Sequence, residues 1–265
     1  MVSLVDTKLS ERHSRSRDWT GFWLLVTVGA LVAWGLFDTG IDPQRIATSG
    51  PRILSFLERM YPPDWSVLPT VVEASLETFH IALLGTCASV VFSLVLGTLA
   101  AETVTPRLVH VPAKWLLAVI RSIPLILVAM LMVGAVGLGP LPGVLAIAFH
   151  STGMLGKFYA EAIESVPAQS LESLDSAGAT WLQKMRFGAW PHMAPDLVRD
   201  TLFRFELNIR ESLVLGLVGA GGVGFYIQTY VRAFQYDKAA TLTIVVVVFV
   251  VLIEAINGFA RSSLR

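Results

Sequence analysis

The chain has 265 residues, of which 54% are hydrophobic and 15% charged, and its mean hydropathy is +0.64. That is too apolar for a soluble domain, so the sequence reads as a membrane protein. Lys+Arg and Asp+Glu each number 20, which leaves no net charge and excludes nucleic-acid binding through bulk electrostatics. The single cysteine, Cys87, lies inside an apolar run, where it can form no intrachain disulfide and serves as a small packing residue.

Lys8, Arg12, Arg15 and Arg17 precede an apolar run from Trp19 to Phe37 that is long enough to cross a bilayer. Trp19, Trp23 and Trp34 accompany it and no small-x-small cleavage site follows, which favours an uncleaved anchor over a signal peptide. The basic N-terminus then lies in the cytoplasm. Residues 38–73 are proline-rich and external, with Ile46, Ile53, Leu54, Leu57 and Met60 spaced as a short amphipathic helix. Residues 1–75 thus hold a tail, an anchor and an external segment, and residues 76–265 hold the core.

Within that core, Leu76 to Ala100 forms a second span, and a basic turn at Arg107, His110 and Lys114 returns the chain to the cytoplasm. Trp115 to Gly137 forms a third, with a kink expected at Pro124. Gly137 to Gly143 is an external turn, and Val144 to Tyr159 forms a fourth span that carries His150, Ser151 and Thr152.

A polar island follows, from Glu161 to Pro191. Leu171, Leu174, Gly178, Trp181, Leu182 and Met185 recur at the spacing of one helical face, while Glu172, Asp175, Gln183, Lys184 and Arg186 fall elsewhere. Pro167 suits the first turn and Pro191 the end of a free-standing amphipathic helix over about 167–190, with acids early and bases late as the helix dipole favours.

The fifth span, Asp196 to Val218, contains Arg204, Glu206, Asn208 and Arg210. Charges cost about 2.5–3.5 kcal/mol each at mid-membrane, so these must face protein or water. Glu206 and Arg210 are spaced to pair on one helical face, as are Arg204 and Asn208. Such groups serve either a structural ion pair or a translocation path. Gly219, Gly221, Gly222 and Gly224 match the dinucleotide fingerprint in letters, but no strand-helix-strand unit surrounds them; a close-packed bend or gate after span five fits better. Phe225 to Tyr236 is external, and Ala239 to Phe259 makes a sixth span that returns the C-terminus to the cytoplasm.

No phosphate loop and no cysteine-histidine metal cluster occurs, so the chain is not its own ATP motor. The spacing of Glu172, Gly178 and Pro191 resembles the Glu-Ala-Ala…Gly…Pro loop of ABC importer permeases, with Ser173 and Leu174 in place of the two alanines. Further strings resemble permeases of phosphonate/phosphate-type importers, and the His-Ser-Thr-Gly and Arg-Phe-Glu-Leu-Asn-Ile-Arg strings narrow the choice to that group. The strings are Arg121-Ser-Ile-Pro124, Phe149-His-Ser-Thr-Gly-Met-Leu-Gly-Lys157, Arg204-Phe-Glu-Leu-Asn-Ile-Arg210, and Val214 to Phe225 with its glycines.

The resemblance implies an all-α bundle of about six spans, the type I ABC importer permease fold. It implies a coupling helix in which Glu172, Asp175, Ala177, Gly178 and Pro191 meet an ATP-binding subunit. It also implies a homodimer in a bacterial inner membrane, two ATP-binding subunits that hold ATP and Mg, no cofactor on this chain, and an extracytoplasmic substrate-binding protein. Transport of phosphonate, phosphite or phosphate would pass Arg204, Glu206, Asn208, Arg210, His150, Ser151 and Thr152. The alternatives are an ABC permease for an amino acid or another oxoanion, and an ion-coupled transporter or channel using the span-five charges as a relay. An intramembrane enzyme is disfavoured, since no nucleophile-base pair is apparent.

Overall fold

The computed structural model describes residues 3–40, 42–180 and 183–262, without the side chains of residues 3–18, 20, 43, 46, 175 and 260–262. Trp181, Leu182 and Arg265, and the side chains of Lys8, Arg12, Arg15, Arg17, Ile46, Asp175 and Arg261, therefore lie outside the described residues. The chain divides into two units, Met1–Glu58 and Arg59–Arg265. Among the described residues there are ten α-helices and no strand.

The first unit holds α1 (Ser3–Asp38) and α2 (Pro43–Glu58). In the second, a short 3-10 turn at Trp65–Val67 leads into α3 (Leu68–Ala100), then α4 (Arg107–Ser122), α5 (Leu125–Val136) and α6 (Pro140–Glu164). They are followed by α7 (Ala168–Ser176), a π-helical turn (Lys184–Ala189), α8 (Trp190–Gly216), α9 (Gly222–Arg232) and α10 (Tyr236–Ser262).

Three segments in described helices are long and apolar enough to cross a membrane: Gly21–Asp38, Trp65–Ala100 and Tyr236–Phe259. The pair α4 and α5 adds a fourth if its halves form one span, bent by 83° at residues 123–124. The expected kink is therefore a break. Pro124 has no N–H to donate and biases Ile123 to an extended conformation, so the ladder cannot run through both residues. Helices α6 and α8 have 25 and 27 residues, enough to span, but they carry the polar groups of the core in place of an unbroken apolar run. The basic turn expected at Arg107 to Lys114 is the first half of α4, and α6 opens at Pro140 inside the expected external turn.

The core forms where α3 and α6 lie side by side, because small residues let their backbones approach. A Cβ at Gly85 would stand 2.6 Å from Ile147 Cγ2, and one at Gly97 2.9 Å from the Gly156 carbonyl. Ile81, Val128, Ala129, Ala146, Ile147, Leu215 and Ala220 make one apolar cluster there; Val71, Ala74, Val223, Leu242 and Val246 join α3 to α9 and α10. The start of α3 is tied to α10 by Thr241, whose hydroxyl donates to the Asp64 carbonyl at 2.8 Å.

The polar island is where structure and sequence part most. One helix over 167–190 was expected; α7 stops at Ser176. Gly178 has φ +73, and the Ala179 N–H donates to the Leu174 carbonyl at 3.0 Å, the closing bond of a Schellman motif. Helix then restarts. Gln183 Oε1 accepts from the Thr180 N–H at 2.8 Å, half of a capping box, and the Lys184 N–H returns to the Thr180 carbonyl. Pro191 does not end this piece but sits in the first turn of α8, where its missing N–H is harmless. The π-helical turn carries the chain into α8, with the Trp190 N–H reaching back to Met185.

Gly178 accordingly serves the helix stop. A Cβ there would meet nothing within 4 Å, so the cost of a side chain is conformational alone. Gly178→Asn is expected to leave stability nearly unchanged and Gly178→Val to lose about 1–2 kcal/mol, read from thermal unfolding of the purified chain.

Candidate functional site

Helix α8 carries two polar faces. Arg204, Asn208 and Glu211 recur at the four- and three-residue steps of one face, and Glu206 and Arg210 share another. On the first face, Arg204 is only 1% exposed. Its Nη2 donates to Glu211 Oε2 at 2.7 Å and its Nε to Ser151 Oγ on α6 at 3.0 Å, while Nη1 approaches Met154 Sδ at 3.5 Å. Ser151 Oγ donates to Asn208 Oδ1 at 2.8 Å, Asn208 Nδ2 donates to Thr86 Oγ1 on α3 at 2.8 Å, and the Thr86 hydroxyl ends the series on the Ala82 carbonyl.

Each donor in this series finds an acceptor, and three helices are joined by it. Arg204 and Asn208 do not bond directly as their spacing suggested; Ser151 stands between them, and the charge partner is Glu211, two turns along α8. In a dry bundle the pairing is what makes the guanidinium tolerable. Thr152 is buried and bonded back to the Ala148 carbonyl. His150 leaves its Nδ1 buried without a hydrogen-bond partner.

On the second face, Arg210 Nη2 donates to Glu206 Oε1 at 3.0 Å, the predicted pair, and also to Glu254 of α10. The Arg210 guanidinium thus meets a carboxylate on each of two helices. With its side chain 46% exposed, Arg210 is reachable in a way that Arg204 is not. Glu254 was not singled out from the sequence.

The glycine segment forms the reversal between α8 and α9. Gly219, Gly221 and Gly222 have φ of +91, +79 and +72, and Gly224 packs against the carbonyl of Leu213. Thr78 of α3 caps the start of α9, its hydroxyl accepting from the Val223 N–H at 2.9 Å.

Helix α7 presents Glu172 outward, with the exposed Ala177 and Gly178 beyond its end. Its inner face touches the π-helical turn, since a Cβ at Gly188 would lie 2.9 Å from Leu171 and 3.0 Å from Leu174. Ser170 Oγ also meets His192 Nε2 of α8 at 3.3 Å. Gly188 and the Thr180–Gln183 pair are local geometry that the helical periodicity concealed.

Between α4 and α6 opens a cleft of about 270 Å³ lined by Lys114, Arg121, Lys157, Glu161 and Glu164, among others. Its lysines are paired, Lys114 with Glu102 and Glu164 at 2.7 and 3.2 Å, and Lys157 with Glu161 at 3.4 Å. The hydrogen bond from Lys114 holds the Glu102 carboxyl below the ordinary carboxylate range. Among the described residues no group of His, Cys, Asp or Glu is arranged to hold a metal.

Long apolar segments around a buried polar series make this a helical membrane protein. The chain belongs to the family described as binding-protein-dependent transport system inner membrane component, which matches residues 93–265. It is thus a multi-pass inner-membrane protein of a transport system. The phosphite transport system permease protein PtxC of Stutzerimonas stutzeri is 37% identical over 226 residues, covering 85% of this chain and 82% of that protein. The phosphate-import permease protein PhnE of Mycolicibacterium smegmatis is 35% identical over 241 residues, 90% of this chain and 45% of the other. In fold, a chain of the inward-facing MetNI methionine ABC transporter superposes with a TM-score of 0.67 at 19% identity, covering 76% of this chain and 99% of that one. The type I importer permease fold expected from sequence is the fold observed.

Proposed function

We propose that this chain is the membrane-spanning subunit of an ABC importer for small phosphorus oxyanions of the phosphite, phosphonate and phosphate class. The observation that carries the reading is the 37% identity over 226 residues to a phosphite permease, since that match extends over most of both chains. In the working assembly two copies pair in the membrane above two ATP-binding subunits, which hold ATP and Mg, and a substrate-binding protein delivers cargo from outside. This chain itself binds no cofactor. Both termini lie in the cytoplasm.

The geometry supplies a lever for such a machine. Helix α7, with Glu172, Asp175, Ala177 and Gly178, docks on the ATP-binding subunit. Leu171 and Leu174 press on Gly188, so a displacement of α7 passes through the π-helical turn and Pro191 into α8. Helix α8 carries the Arg204–Ser151–Asn208–Thr86 series, so its movement is felt by α6 and α3. Alternating access then follows as rocking of packed helices, with the Gly219–Gly224 reversal as the bend or gate. Arg204, Asn208, Ser151, Thr152 and His150 are path residues only in a state that opens their interface, whereas Arg210, which pairs with the largely covered Glu206, is accessible in the present one.

The test is uptake of labelled phosphate by cells expressing the chain with its partners, with unlabelled phosphite and phosphonates as competitors. Energy-dependent uptake suppressed by these competitors supports the reading; an assembled complex indifferent to all of them removes the substrate class. The charge of the Arg210 cluster gives a second test. Arg210→Ala makes it more negative and is expected to lower anion uptake about tenfold, while Glu254→Gln makes it less negative and is expected to maintain or raise uptake. Both variants behaving alike, with assembly intact, would take Arg210 off the path.

A further inference from the structure

The walls of the cleft between α4 and α6 are fixed by close contact. A Cβ at Gly156 would stand 2.6 Å from Leu117 Cδ2, and one at Gly153 2.9 Å from the Arg121 nitrogen. Three cations line the cleft, Lys114, Arg121 and Lys157, against two carboxylates, Glu161 and Glu164. Lys114 is engaged on two sides, donating to Glu102 at 2.7 Å and to Glu164 at 3.2 Å, and Glu164 also accepts from the Glu102 N–H at 2.8 Å. Lys157 meets Glu161 at 3.4 Å with both side chains about half exposed, a surface pair that yields readily to a better partner. Arg121 is exposed and, among the described residues, its side chain has neither a carboxylate partner nor a hydrogen bond.

An unengaged guanidinium in the wall of a cleft invites an anion. Its planar fork of donors matches two oxygens of a carboxylate or phosphate group, and a lysine beside it adds a point charge. The volume of about 270 Å³ lies just below the roughly 300–1,000 Å³ of pockets for drug-sized ligands, which suits a small ion. Position narrows the choice further. Glu164 ends α6 and α7 begins at Ala168, so the cleft lies at the end of the bundle that bears α7. In the other direction along α6, His150 precedes Gly153 by one helical turn and keeps its buried Nδ1 without a hydrogen-bond partner. His150, Arg121 and Lys157 thus lead from the polar core towards α7.

We propose that the α4/α6 cleft binds a phosphorus oxyanion, with Arg121 as its principal partner and Lys157 as the second charge. The choice of phosphorus rests on the transport reading, in which the cleft is a station between the buried polar series and the cytoplasm. Free phosphate and the headgroup of an anionic phospholipid offer the same chemistry, and the guanidinium can hold either.

The test places a cysteine in the cleft wall, Ala118→Cys in a Cys87→Ser background, in the full-length chain purified in maltoside. The rate of its modification by a neutral maleimide reports whether the cleft is filled. Millimolar inorganic phosphate should slow that rate about fivefold relative to chloride at equal ionic strength, and Arg121→Gln should abolish the protection. Protection by inorganic phosphate marks a site for the free ion; protection that appears only when phosphatidylglycerol is added to the micelles marks a headgroup site. Protection by neither overturns the proposal, as does protection that Arg121→Gln leaves unchanged, or a cysteine at 118 that the maleimide never reaches. The assay needs neither ATP nor partner subunits. A cleft that binds phosphate in a chain whose uptake ignores every competitor removes only the transport reading, and an empty cleft beside competed uptake removes only this site.

Discussion

Gly224→Ala is expected to prevent the α8–α9 reversal from closing. A Cβ at position 224 would penetrate the Leu213 carbonyl and lie 3.0 Å from Gly216 Cα. The same contact is tight from the other side, since a Cβ at Gly216 would stand 2.6 Å from both Gly224 Cα and the Phe225 nitrogen. Every one of these neighbours is backbone in a helix, so no side chain can swing aside. Relief requires α9 to move away from α8, and that withdraws Val223 from the Thr78 cap and from its cluster with Val71, Ala74 and Leu242. The loss should reach about 3 kcal/mol or more, the upper range for overpacking. In a chain of this length that corresponds to a fall in Tm of about 6–12 °C. Gly134→Ala is the matched control, because its Cβ would meet nothing within 4 Å and the position lies in the exposed part of α5. It should be neutral or slightly stabilising. Thermal unfolding of both purified variants decides the matter, and a Gly224→Ala protein within about 2 °C of the parent would mean that the reversal yields where its backbone contacts say it cannot.

Parts of this geometry were readable from the residues. The α1, α3 and α10 segments announce themselves because each is a long apolar run, and a bilayer asks little more of a helix than length and hydrocarbon. The glycines from 219 to 224 were recognised as a bend because nothing around them could support a nucleotide fold. Their individual duties were not visible: three adopt left-handed backbone and Gly224 admits α8, and a string of letters does not separate conformational need from close approach.

Pro124 marked a weakness in the third span, but whether a proline kinks or breaks a helix depends on what packs beside it. Here Gly153 lets the α4 backbone approach α6, with a Cβ at that site only 2.9 Å from the Arg121 nitrogen. Tertiary contact made the difference. In the polar island, apolar spacing from Leu171 to Met185 argued for one helix, and the competing signal was local: Gly178 at a helix stop, with Thr180 and Gln183 as a fresh start. The two pieces pack on each other, Leu171 and Leu174 of α7 against Gly188 of the π-helical turn.

The span-five charges show a further limit. The four-residue rule found the Arg210–Glu206 pair because both partners lie on one turn. It could not find Glu254, which belongs to another helix, and it joined Arg204 to Asn208 when the bond passes through Ser151 instead.

That last arrangement sets the second large effect. Arg204→Met is expected to destabilise the chain by about 3 kcal/mol, the low end for breaking a buried pair, because Glu211 keeps its side chain 29% exposed and recovers some solvation. The damage would come from what remains: an unpaired carboxylate in the bundle and a Ser151 hydroxyl that has lost its donor. Removing the carboxylate as well should reverse most of it. The double variant Arg204→Met/Glu211→Leu is expected to lie within about 1 kcal/mol of the parent, since a buried ion pair offsets little more than its own desolvation. Thermal unfolding of the two single variants and the double one forms a cycle, and purely additive losses would show that the two side chains are not coupled. Uptake by the same double variant separates the two roles open to this series. A restored fold that transports at the parental rate makes Arg204 a clamp between α8 and α6 and removes it from the path. A restored fold that no longer transports leaves the guanidinium as a group the substrate or the moving interface needs, because its contribution to stability has been replaced and its charge has not.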